Sequence, residues 1–135
     1  VNEIREFGVN TTDNQTIGGN KTFTGNTTLN EYVETVYALG STSGTITPSV
    51  YNGPVQTLTL TGNLTLNAPT GMTTGSNMVL IIRQDGTGSR AMTANTAYKF
   101  AGNSKTLSTA ANSIDVMTVF YDGTNYLCSL NKNYA

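Results

Sequence analysis

Acid–base chemistry in this chain would have to rest on carboxylates, because the sequence holds no histidine and a single cysteine, Cys128. Without an imidazole, a serine or thiol nucleophile lacks its usual general base, and the commonest metal ligand is missing. A Ser/His/Asp or Cys/His enzyme is therefore excluded. One cysteine also excludes an intramolecular disulfide and any multi-cysteine zinc site, which leaves Cys128 the role of a small buried apolar residue. Glycoside cleavage needs only two acids at a set separation, and Glu31/Glu34 or Asp85/Asp122 are the candidate pairs. Yet Asp85 and Asp122 each precede a glycine, as turn formers do, and Glu31 and Glu34 stand in a solvated stretch. Nothing in these contexts indicates the burial that tunes an acid's pKa. The reading is a non-enzyme, with no catalytic, cofactor-binding or metal-binding residue and no cofactor.

Other motifs point to binding or to nothing. Gly86-Thr87-Gly88 has the form of a phosphate loop's start, but such loops need a helix behind them and usually a lysine, and this one reads as a hairpin turn. Asn-X-Ser/Thr triplets at Asn10, Asn14, Asn20, Asn26 and Asn63 follow from a composition rich in Asn and Thr. The tyrosines are the main amphipathic anchors of a chain without tryptophan. Tyrosine is favoured where one end is packed and the other wet. Tyr32, Tyr37 and Tyr51 are the candidate surface-recognition residues, whereas Tyr121 and Tyr126 are expected to pack within a hairpin.

The elements that must position these residues are strands. Seven basic and eight acidic residues nearly cancel, so no long-range field draws in nucleic acid, and no apolar run approaches the ~18 residues of a membrane span. The low net charge also argues against disorder, despite the polar composition. Threonine suits a pleated strand, and Asn and Gly accept the positive φ of tight turns. From Thr57 to Asn67, Leu58, Leu60, Leu64 and Leu66 share one parity and threonines the other, which gives two short strands around Gly62-Asn63 or one strand with a bulge. Met78 to Ile82 reads as a central strand buried on both faces. Ile114–Tyr121 and Asn125–Leu130, joined by Asp122-Gly123-Thr124, read as a hairpin whose strands lie inside the sheet. Glu31–Leu39 fits helical and strand spacing alike. The expected fold is all-β, an antiparallel β-sandwich or jelly-roll-like domain over residues 41–135, preceded by an extended attachment or stalk segment over residues 1–40.

Val1 to Leu29 spreads Ile4, Phe7, Val9, Ile17, Phe23 and Leu29 among Asn, Thr and Gly. Such a segment cannot form a core alone and becomes ordered most readily when identical copies wrap one another. Ile17, Phe23, Leu29 and Val33 are the candidate oligomer-interface residues.

Asp13-Asn14-Gln15-Thr16-Ile17-Gly18-Gly19-Asn20-Lys21-Thr22-Phe23-Thr24-Gly25 resembles a segment common in bacteriophage tail fibres. Leu58 through Asn63, Ile82 through Arg90, Asp115-Val116-Met117 and the Tyr121-Asp122-Gly123 turn resemble a module found near the ends of phage virion proteins. That module usually carries a tryptophan after the Ser-Arg turn, where this chain has Ala91-Met92-Thr93-Ala94 and later Tyr98-Lys99-Phe100. The resemblance implies a trimeric virion appendage whose partners are its own copies, other virion proteins and a host-surface glycan or protein, with no nucleic acid and no membrane insertion. It leaves open a location on the tail or the capsid surface. The first function to weigh is a fibre module that binds the host surface. The alternatives are a capsid decoration protein that stabilises the head lattice and a polysaccharide-cleaving tail tip.

Overall fold

The computed structural model describes residues 11–135; Ile4, Phe7, Val9 and Asn10 lie outside the described residues. The chain divides into two units, the second being Val33–Ala135. In the first unit, residues 11–32 form neither strand nor helix, and every one of them is exposed.

The second unit holds seven strands: β1 (Val36–Ile46), β2 (Val55–Leu66), β3 (Asn77–Gln84), β4 (Met92–Ala94), β5 (Tyr98–Phe100), β6 (Ile114–Tyr121) and β7 (Tyr126–Tyr134). No α-helix occurs among the described residues, as the threonine-rich composition predicts. The ambiguous Glu31–Leu39 stretch resolves into the entry to β1, which begins inside the expected 1–40 segment.

The strands form one sheet in the order β1-β2-β3-β6-β7-β5, with β4 also paired to β2. The expected antiparallel sandwich is not what forms. The pairs β1–β2, β2–β3, β2–β4 and β5–β7 are parallel, and only β3–β6 and β6–β7 are antiparallel. The leucine alternation fixes which face of a strand is buried, but either strand direction buries that face equally well. Here residues 47–54 and 67–76 return the chain to the start of the next strand, so β1, β2 and β3 stack like successive coils of a short solenoid.

The bulged-strand option holds for Thr57–Asn67: β2 is continuous, and its register with β1 jumps between Thr42↔Leu60 and Gly44↔Leu64. β3 is interior to the sheet, but within the Met78–Ile82 run only Met78, Leu80 and Ile82 are fully buried; Val79 and Ile81, on the other face, are half-buried. The β6–β7 hairpin forms where expected, and both strands have neighbours on each side. Tyr121 and Tyr126 stack within it with ring centroids 4.7 Å apart.

The core lies on one face of this sheet, where register aligns the buried parities. Leu58 opposes Ile82, Leu80 opposes Met117, and Val119 opposes Cys128. Leu60, Leu66, Leu80 and Met117 are wholly buried, and Tyr98 and Leu107 close the cluster. Cys128 packs there as a small apolar residue, and burial pushes its thiol up to about 12.

Candidate functional site

Because β1 occupies one edge of β2 throughout, β3 and β4 must share the other. β3 accompanies β2 as far as Leu60↔Gln84, and β4 takes over from Leu64↔Met92 to Leu66↔Ala94. Between them residues 85–91 loop out of the sheet. The Asp85–Ser89 stretch is therefore a loop between two strands that both run parallel to β2, which corrects its reading as a hairpin turn.

Three polar side chains hold this loop and the facing segment around Ser108 in place. Gln84, buried, donates from Nε2 to the carbonyls of Arg90 and Ser108, both at 2.8 Å, and its Oε1 accepts the Arg90 amide at 2.9 Å. Asp115, also buried, accepts the Ser108 amide at 2.7 Å and the Asn133 amide at 2.9 Å. Asp85 accepts the Thr87 and Gly88 amides and pairs with Arg90 at 2.8 Å. Buried polar groups satisfied on every side fix a local geometry, because each alternative leaves one of them unpaired. Gly88 shows how tight the closure is: at φ +73° it sits so close to the Thr109 carbonyl that a Cβ would lie 2.6 Å from it.

Two adjoining depressions open along this clamp. One, of about 280 Å³, is bounded by residues 89–94 and by Lys105, Thr106, Leu107 and Thr109. The other, of about 330 Å³, lies between Asn95, Tyr98, Lys99, Phe100 and Asn103. Ala94 and Lys105 line both, so the two form one shallow groove. Tyr98 anchors its floor, with its hydroxyl donating to the Asn67 carbonyl at 2.8 Å. Arg90, Lys99 and Lys105 are the charged residues of the lining. Ala91–Ala94 and Tyr98–Phe100, where the sequence departs from the phage module it resembles, thus meet in one place. The signal that could have found the groove is charge: three of the seven basic residues fall within residues 90–105, and no acidic residue occurs between Asp85 and Asp115.

The candidate interface residues are not gathered into a cluster. Ile17, Phe23 and Leu29 are 50, 71 and 63% exposed, and Val33, at the start of the second unit, is 85% exposed. Their positions hide a regularity that the sequence reading missed. Thr16-Ile17, Thr22-Phe23 and Thr28-Leu29 repeat every six residues, and bends recur at Gly19, Gly25 and Asn30. Of the candidate recognition residues, Tyr32 in the first unit and Tyr37 in the second are exposed. Tyr51 is more telling, because its ring lies so close to Gly71 (φ +80°) that a Cβ there would be 2.6 Å from the ring, yet the side chain stays 84% exposed. It is a propped aromatic surface.

Of the candidate acids, Glu31 and Glu34 are exposed, whereas Asp85 and Asp122 are engaged in structural work. The Arg90 guanidinium holds the Asp85 carboxyl below its usual range, outweighing the opposing effect of burial with the help of the Gly88 and Thr87 amides. The Asn125 and Thr124 amides do the same for Asp122 across the β6–β7 turn. A general acid needs a raised pKa, so both shifts run the wrong way for proton donation.

The profile of the family described as "Putative phage tail fibre C-terminal domain" matches residues 46–126. The match spans the strands β2 to β6, the clamp and the whole groove. No curated protein and no solved structure matches the chain.

Proposed function

The chain belongs to the phage tail fibre C-terminal domain family and is a structural protein of the phage tail, and from that premise we propose that it is a trimeric, non-catalytic fibre module that presents its β domain to the host surface. The family match carries the tail location, which leaves the capsid-decoration alternative without support. Trimerisation is inferred from the first unit. Residues 11–32 expose every apolar side chain they have, and a repeat of one apolar residue in six cannot bury itself. Identical copies wound together bring Ile17, Phe23 and Leu29 to equivalent heights, where each covers its counterparts. Three is the number implied by the resemblance of Asp13–Gly25 to tail-fibre segments.

Host presentation is inferred from the second unit. A rigid groove and a propped Tyr51 are the surfaces a receptor-binding module needs, since binding groups held in place lose little entropy when a ligand arrives. Against the polysaccharide-cleaving alternative stand Asp85 and Asp122, which are committed to loop geometry, and Glu31 and Glu34, which are exposed and lack the burial that tunes an acid. Sedimentation equilibrium of the full chain tests the assembly: a particle three times the 14.3 kDa chain mass is expected, and a monomer at micromolar concentration would overturn it. Excess purified protein should slow adsorption of the parent phage to its host, and unchanged adsorption would overturn the host-facing role.

A further inference from the structure

We infer that the groove along β4, β5 and the Lys105–Thr109 segment binds a negatively charged polysaccharide chain; this deepens the host-facing reading above and rests on it.

Charge is the first argument. The protein as a whole has a net charge of −1, yet Arg90, Lys99 and Lys105 all line this groove and no carboxylate does. The positive character is therefore local, which is how a weakly charged protein confines an anion to one surface. Arg90 spends its charge on Asp85, and Lys99 donates one hydrogen bond, to the Thr96 carbonyl at 2.8 Å. An ammonium has three donors, so Lys99 keeps two for a ligand. Lys105 is exposed and stands at the junction of the two depressions.

Shape and lining supply the second argument. Each depression is at or just below the small end of the ~300–1,000 Å³ typical of ligand pockets, and the two adjoin at Ala94 and Lys105, so the groove suits units laid end to end better than one enclosed molecule. Ser89, Thr93, Asn95, Asn103 and Thr106 offer hydroxyls and amides, which match sugar hydroxyls. Phe100, half-buried, offers a ring face on which a sugar can rest. A nucleic acid fits less well: two lysines without a carboxylate partner release few counterions, and there is no row of exposed aromatics for bases to stack upon in the groove.

The third argument is rigidity. The groove's two walls are tied together through Gln84, whose amide bonds both Arg90 and Ser108 from inside the fold. Arg90 is held directly by this clamp, and Lys99 stands on β5, whose backbone is paired with β7.

The negative charge could be carboxylate or phosphate, and titration calorimetry distinguishes them. The full chain is titrated with polygalacturonate, poly(glycerol phosphate), neutral dextran and a short DNA duplex at low and moderate salt. At least one of the two polyanionic polymers should bind, more weakly as salt rises, while dextran does not. Lys99→Gln/Lys105→Gln should weaken that binding tenfold or more. Arg83→Gln/Lys132→Gln removes the same charge from exposed positions outside the groove and should leave it unchanged. Equal binding by the groove variant, equal binding of dextran, tighter binding of DNA, or no binding of either polymer would overturn the inference. Fluorescent labelling of host cells separates the two levels. Equal labelling by wild type and by the groove variant would sink the groove and leave the host-facing role standing, whereas absence of labelling by wild type would sink that role itself. Matched thermal midpoints of the two variants and the wild type confirm that folding is not the cause of any difference.

Discussion

Residues 11–32 and the β domain are written in the same alphabet of Thr, Asn, Gly and a few apolar residues, yet one exposes everything and the other builds a sealed core. Spacing makes the difference. In β2, leucines recur at every second residue on each side of the bulge and share a face, so four of them join Met78, Leu80, Ile82 and Met117 in one buried cluster. In residues 11–32, apolar residues recur at every sixth, and a single chain has nothing to set against them. Frequency of apolar residues along one face, more than overall hydropathy, decides whether a segment folds by itself or waits for copies of itself.

The comparison breaks most visibly in the core. Leu80→Ala should cost about 2–5 kcal/mol, read as a lower urea midpoint, because Leu80 is wholly buried between Gln56 and Met117 in the sheet register. The Ile17→Ser/Phe23→Ser double variant should show the opposite profile. The urea midpoint of the β domain stays where it is, while sedimentation detects loss of the oligomer, each covered side chain being worth roughly 1.5–3 kcal/mol per copy. Unchanged oligomers in that variant would mean that these residues do not hold the arm.

Gln84→Ala sharpens the comparison inside the domain. Two half-buried carbonyls and one amide lose their partner, so a loss of about 2–3 kcal/mol is expected. Faster hydrogen exchange should be confined to the segments around Arg90 and Ser108. Uniform acceleration across the sheet would show that the glutamine supports the core more than the groove.

The smallest effects are in pH. Burial raises the Cys128 thiol to about 12 and the Tyr98 phenol above its ordinary value, so the folded state holds these protons more firmly than the unfolded one. Their contribution is complete below the unfolded values near 9 and 10 and is lost as pH climbs through the folded ones. The urea midpoint should fall above about pH 9. Asp85 runs the other way: its lowered pKa supports the loop above the ordinary 3.8 and ceases to do so as pH falls through the folded value. Because that half-buried carboxylate lies in a surface loop, the effect should be local and visible in the Thr87 and Gly88 amide signals by NMR, with little change in the global midpoint.

Much of the fold was legible in the residues. The strands over Thr57–Asn67 and Met78–Ile82, the hairpin at Asp122-Gly123 and the buried Cys128 all follow from alternation, turn chemistry and residue type, which act over a few neighbouring positions. The groove was not, since Arg90, Lys99 and Lys105 acquire a shared purpose only when β4 joins β2 and β5 joins β7.

By itself the sequence determined an all-β, histidine-free, weakly charged protein with one self-sufficient region and one that lacks a core of its own, because composition and spacing settle what can be buried. The tertiary structure alone decided that β1, β2 and β3 coil in parallel and that Arg90, Lys99 and Lys105 line one groove. Strand direction and loop convergence depend on long-range register, and alternating residues pack equally well against a neighbour of either direction.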